Sequence, residues 1–234
     1  MYFDSILANF ILMICLIMIV TIVNYFLNRH ARLLMNYTYS LKMNPKDIVK
    51  KYAINQDIDI AAYASKGGND LDNYIDSNKT IFINARHYFS NSIYSLSRTI
   101  YFCSMSKVAK DNYKKYKFQN KSDSIFMMLE VLAWGLIFIG LLLKINLLMI
   151  IGLIIIILSF VFVYINYKTV KNYQDESLEY LNKILKNKQE INVVKVIYLF
   201  DRYQYILKPI LSMIKLFPFL LSSNQKKVLG NEYE

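Results

Sequence analysis

Residues 125–143 read IFMMLEVLAWGLIFIGLLL, and residues 147–165 read LLMIIGLIIIILSFVFVYI; only Lys144, Ile145 and Asn146 separate them. As helix, each run extends about 28 Å at about 1.5 Å per residue. That matches the hydrocarbon core of a bilayer, about 30 Å. So short a connection makes the two helices antiparallel neighbours. The stretch therefore predicts a transmembrane helical hairpin and sets the class, a mostly α integral membrane protein. Glu130 is the only charge inside the two runs. An intramembrane carboxylate is a functional-site candidate. Here it lies about 8 Å from the start of its run, so the preferred expectation is a side chain that reaches toward the interface.

Upstream, SILANFILMICLIMIVTIVNYFL at 5–27 is uncharged and long enough to span. It has no basic leader and no small-residue cleavage site after it, so it reads as a retained anchor rather than a signal peptide. Downstream, VVKVIYLFDRYQYILKPILSMIKLFPFLL at 193–221 is apolar but interrupted by Lys195, Asp201, Arg202, Lys208 and Lys215. Pro209 is expected to kink it and Pro218 to end it. It reads as a C-terminal membrane-associated helix, either a tilted fourth span or an interfacial helix with its charges on the wet face. The organisation expected is an anchor at 1–27, a cytoplasmic α+β segment at 28–124, the hairpin at 125–165 and an amphipathic C-terminal region at 166–234.

Charge sets the sidedness. Sixteen Lys or Arg lie between residues 28 and 124, against none before the anchor and one in the hairpin turn. The positive-inside rule then places the chain in the cell membrane as a multi-pass protein, N-terminus outside and 28–124 cytoplasmic. The net charge of +11 fits attraction to anionic headgroups, so the lipid bilayer is the first expected partner. No nucleic-acid motif accompanies the charge, and no nucleic-acid partner is expected. Cys15 and Cys103 lack the spacing of a disulfide framework or of a zinc site.

The 28–124 segment carries structural punctuation. Asn44-Pro45 reads as a helix start, with Ile48, Tyr52 and Ile54 as packing residues. IDIAAYA (58–64) and KTIFIN (79–84) read as strands, with turn chemistry between them at Gly67–Asp70 and Asp76–Asn78. A further helix follows, capped by Ser90 or Asn91 and running through NSIYSLSRTIYFCSMSKVAKDNYKKYK. In it Ile93, Leu96, Ile100 and Cys103 recur at three and four residues and define one apolar stripe. Its basic tail, Lys107 to Lys117, reads as a solvated face near the bilayer.

Four stretches share an order and spacing with a known family: YSLKMNPKDIVKKYAI (39–54), DNYIDSNKTIFIN (72–84), NSIYSLSRTIYFCSM (91–105) and WGLIFIGLLL (134–143). In this arrangement the chain resembles the YugP-like family of bacterial membrane zinc metallopeptidases over nearly its whole length. In that family the third stretch ends in HExxH. Two His four residues apart there share a helix face and ligate Zn²⁺, and the Glu takes a proton from the metal-bound water. The resemblance places the first His at Tyr101, the Glu at Phe102 and the second His at Met105. The family's Glu after the hairpin, a third ligand, falls near Tyr173.

None of these four side chains suits Zn²⁺ in those roles. The chain has two His in all, His30 and His87, and no Glu before Glu130. Asp70, Asp72 and Asp76 lie in expected turns, and a His30–His87–Asp site is the only other metal constellation conceivable. The expectation is therefore no catalytic residue, no bound cofactor and no zinc: Tyr101, Phe102, Met105 and Tyr173 mark a vestigial site in a pseudoenzyme. The expected function is a non-catalytic binding or scaffold homologue. Its partner would be another membrane protein, or an extended peptide added beside KTIFIN by strand addition. The alternatives are an active membrane-bound zinc endopeptidase with atypical ligands, and a small structural protein held on anionic lipid.

Overall fold

The computed structural model describes residues 2–34, 37–39, 43–65, 73–75, 79–84 and 88–215. Its elements are α1 (Tyr2–Leu34), α2 (Pro45–Gln56), β1 (Ala61–Ser65), β2 (Asn73–Ile75), β3 (Thr80–Asn84), α3 (Ile93–Asp111), α4 (Tyr113–Leu143), α5 (Asn146–Ile184), α6 (Lys188–Ile206) and α7 (Lys208–Leu211), followed by a 3₁₀ turn at Ser212–Lys215. The chain is mostly helical. Two helices, α4 and α5, are long and apolar enough to cross a membrane. Within α1 the apolar stretch among the described side chains is Ile17–Phe26. Two compact units form: Met1–Leu27 with Lys121–Ile165 and Gln204–Glu234, and Asn28–Asn120 with Asn166–Tyr203.

In the first unit the hairpin turn follows from local chemistry. Lys144 takes a left-handed conformation (φ 56°), and the Ile145 N–H donates to the Gly140 carbonyl at 2.9 Å, closing the end of α4 as a left-handed cap does. Beyond the turn, a Cβ on Gly152 would lie 2.6 Å from an Ile137 carbon and 2.7 Å from the Ala133 carbonyl oxygen, so only glycine lets α5 approach α4 this closely. Phe126 and Phe162 stack at 4.0 Å. The buried positions repeat at three and four residues: Glu130, Ala133, Ile137 and Gly140 on α4, Gly152, Ile156, Ser159 and Val163 on α5. That is the spacing of left-handed helix pairs. Glu130 lies in this seam, fully buried.

The second unit packs α2, α3, the last turns of α5 and most of α6 around one core, with the three-stranded sheet ordered β1-β3-β2. Asn44 caps α2, its Oδ1 accepting from the Asp47 N–H at 2.9 Å. Ile48 and Tyr52 are buried as the sequence predicts, but Ile54 is 80 % exposed because it falls on the opposite side of the helix. The cap of α3 is Ser92, whose Oγ accepts from the Ser95 N–H, one residue beyond the expected Asn91. Ile93, Leu96, Ile100 and Cys103 are all completely buried.

The helix read through Lys117 is in fact two. At Asn112 the N–H closes α3 on the Val108 carbonyl, while the side-chain oxygen accepts from the Lys115 N–H and opens α4. Residues 73–75, read as part of a turn region, form β2. This strand pairs antiparallel with β3, and β1 pairs parallel with its other side. β3 is therefore central, so strand addition beside KTIFIN is closed by the chain itself. In the C-terminal region the interruption expected at Pro209 is present: one helix spans Lys188–Ile206 and the next starts at Lys208 with Pro209 in its first turn. Asp201 and Arg202 do not form a wet face but pair with Arg98 and Asp175. Residues from 216 lie outside the described part, Pro218 included.

Candidate functional site

The site starts from α3. Its serines and threonine are buried, and four of the hydroxyls turn back onto a carbonyl three or four residues earlier: Ser97 onto Tyr94, Thr99 onto Ser95, Ser104 onto Ile100 and Ser106 onto Cys103. Helices accommodate such back-bonding without an external partner. Because Ser104 spends its one proton on Ile100, it accepts from Ser177 of α5 across 3.0 Å. Lys107 of α3 meets Glu176 of α5 at 2.6 Å. These contacts hold α3 against the part of α5 that carries Tyr173.

Tyr101 lies half-buried at the centre. Its ring stands edge-on to Phe102 (5.5 Å) and to Tyr173 (6.0 Å), and 6.4 Å from Tyr198 of α6. Phe102 is buried, Met105 packs half-buried against the same core, and Tyr173 is completely buried. The structure thus brings the positions expected on α3 together with the one expected after the hairpin, although 72 residues of chain separate Tyr101 from Tyr173. Several polar atoms on the wall have an internal use. Tyr173 donates its hydroxyl to Gln119 Oε1 at 2.7 Å. Tyr198 donates to the Ser97 carbonyl at 2.9 Å. Gln174 donates to the Tyr198 carbonyl and accepts from Arg202 Nε, and Arg202 also reaches Asp175.

The electrostatics follow burial. Tyr198 and Tyr52 are held neutral well above the usual tyrosine range because burial removes the water that would solvate a phenolate. The same desolvation raises the Cys103 thiol, so it is no nucleophile at neutral pH. Burial also raises Asp201, against the Arg98 guanidinium 3.3 Å away, which lowers it.

A zinc ion needs three or four convergent N, O or S donors at about 2.0–2.3 Å. The four positions instead offer two aromatic phenols, a phenyl ring and a thioether, and the Tyr173 hydroxyl is already a donor to Gln119. The residues present do not fit the metal. Among the described residues no group of three His, Cys, Asp or Glu could hold one. His87, Asp70, Asp72 and Asp76, and the side chain of His30, lie outside the described part, so a His30–His87–Asp site stays a reading of the sequence. A separate open cleft of about 760 Å³ lies at the end of α2, lined among others by Asp57, Lys79, Ser106 and Lys110. There Lys110 is already committed to the Asp57 carbonyl and carboxylate.

Sequence reasoning missed Gln119, Gln174, Ser177 and Tyr198, which close the site. For Ser177 a signal existed: the stripe Asn166, Val170, Tyr173, Ser177, Tyr180 continues the three-and-four spacing of the hairpin, and all five are buried. No curated protein and no solved structure gives a match to this chain. The family model described as putative neutral zinc metallopeptidase matches residues 9–224. The match covers nearly the full length, and the chain belongs to that zinc metallopeptidase family.

Proposed function

We propose that this chain is a non-catalytic member of its family, a membrane-held scaffold that acts by binding rather than by hydrolysis. The observation that carries the reading is the wall of aromatic rings around Tyr101. The position of the general base holds a buried phenyl ring, Phe102, and the position of the third ligand holds a phenol engaged with Gln119. Neither can take a proton from water at neutral pH, and no step of peptide hydrolysis can be assigned to them. No cofactor enters this reading. The anchor at 5–27, the hairpin at 125–165 and the lysine and arginine excess at 28–124 support a multi-pass topology with the second unit in the cytoplasm.

The partner is another membrane protein, or an extended peptide bound away from β3. The bond from the Ala61 N–H to the Lys79 carbonyl turns the odd-numbered residues of β1 toward β3. In a parallel ladder the N–H and C=O of Ala62 and Ala64 then point to the outer edge, the natural place for an added strand.

Zinc content of the protein purified in mild detergent, without added metal, tests the central claim. The expected result is far less than one zinc per chain and unchanged thermal stability in a chelator. About one zinc per chain, lost on substituting His30 or His87, would overturn it in favour of the active endopeptidase with atypical ligands.

A further inference from the structure

The lysines of this protein fall into two sets that the sequence does not separate. Lys107 and Lys110 of α3 are engaged in ion pairs, with Glu176 and Asp57. Lys117 of α4 and Lys168 and Lys171 of α5 are exposed. Among the described residues none of these three is within ion-pair distance of a carboxylate. Residues 113–120 and 166–174 contain lysines but no Asp or Glu, and Asp175, one turn beyond Lys171, pairs with Arg202.

Placement along the helices is the second observation. Lys168 and Lys171 follow Ile165, the last residue of the apolar run, by about 4.5 and 9 Å, and Lys117 precedes Ile125 by about 12 Å. The polar layer on each face of a bilayer is about 5–8 Å thick, and a flexible lysine stem reaches several ångströms along the helix surface toward it. Tyr113 and Phe118 stand half-exposed beside Lys117, whose ammonium lies 5.6 Å from the Tyr113 ring. Aromatics next to cations at this depth are what a headgroup layer accommodates. The Tyr173–Gln119 hydrogen bond ties α5 to α4 at this level.

We infer that Lys117, Lys168 and Lys171 form a docking surface for the headgroup phosphates of anionic lipid. The inference rests on the membrane-spanning reading of the hairpin proposed above. Its specific content is a lipid preference, which the topology rule alone does not require.

Trp134 is the single tryptophan and stands inside the α4 run, which makes it a reporter of adjacent acyl chains. The full chain, reconstituted in bilayers, is titrated with brominated phosphatidylglycerol or brominated phosphatidylcholine, and the quenching of Trp134 gives the relative association of the two lipids. The expected preference for phosphatidylglycerol is roughly fivefold at low salt, the effect of about one well-placed lysine. It weakens with added salt. K117Q/K168Q/K171Q should bring the preference below about twofold, the corresponding triple arginine variant should keep it, and K107Q/K110Q should leave it unchanged. Equal quenching by both lipids in a protein that resists alkaline carbonate extraction overturns the docking surface alone; so does a preference that survives in the glutamine variant. Release of the protein by carbonate overturns the spanning reading instead.

Discussion

The two halves of α5 face opposite demands. Over residues 146–165 the outer side is Leu147, Ile150, Leu153, Ile157, Val161 and Tyr164, all half-exposed or more, while Gly152 and Ser159 lie inside. Over residues 166–184 the outer side is Lys168, Lys171, Asp175, Glu179 and Lys183, and the inside holds Tyr173, Gln174, Ser177 and Tyr180. The buried stripe keeps the same seven-residue repeat through both halves; only the surface inverts. In the first half close approach is made by small residues, as in helix pairs with no hydrophobic drive between them. In the second, burial of rings drives packing and each polar group that goes inside is hydrogen-bonded. The lesson is that the buried stripe sets which helices touch, while the outer face records which solvent the helix was built for.

Three substitutions probe that contrast. The largest effect is expected from Phe102→Glu in the second half's core. The change buries a carboxylate among rings, at a cost of about 3 kcal/mol or more. Thermal denaturation of the detergent-solubilised protein would read it; a stability equal to the parent's would mean that the pocket is open to water and the aromatic wall is not closed. Gly152→Val comes next. The added carbons meet the Ala133 carbonyl, a backbone atom that cannot yield, so a loss of about 2–3 kcal/mol is expected. Gly135→Ala, with nothing within 4 Å of its Cβ, should instead be neutral or stabilising by up to about 1 kcal/mol. If both glycines tolerate substitution equally, the hairpin does not pack through Gly152.

The smallest loss at neutral pH belongs to Tyr198→Phe, which removes one hydrogen bond to the Ser97 carbonyl, about 1 kcal/mol. Its interest lies in alkali. Tyr198, Tyr52 and Tyr39 are raised by burial, Tyr39 to about 12. A raised folded value means that the unfolded chain loses its protons first, near pH 10. The stability these tyrosines contribute is therefore whole below about pH 10 and falls as pH rises above it. Measured between pH 9 and 12, the parent should lose stability more steeply than Tyr198→Phe, by one proton's worth of slope; identical slopes would show that Tyr198 ionises as freely folded as unfolded.

Much of this was legible in particular residues. Asn44-Pro45 announced α2, and the spacing of Ile93, Leu96, Ile100 and Cys103 announced the buried side of α3, because capping and periodicity act within a few residues. The break at Asn112 escaped the same reasoning, since one asparagine closing a helix and opening the next looks like any polar residue in a helical run. β2 escaped because three residues among turn formers carry no period. Glu130 was legible as unusual but not as buried. Tyr101, Phe102, Met105 and Tyr173 were singled out only through the spacing of the resemblance, and the contacts with Tyr198 and Gln119 were not legible at all.

By itself, then, the sequence determined the hairpin, the absence of a His pair at helical spacing and the inversion of α5's outer face. Each is a property of neighbouring residues on one helix. Tertiary structure alone decided that Tyr101 meets Tyr173 and Tyr198, that Ser104 accepts from Ser177, that β3 is central, and that Lys107 and Lys110 are spent in ion pairs while Lys117, Lys168 and Lys171 are not. Those outcomes join residues dozens of positions apart. A periodic pattern says which side of a helix is buried, but the partner is chosen by packing among several such sides at once, and that choice is written in no single stretch of chain.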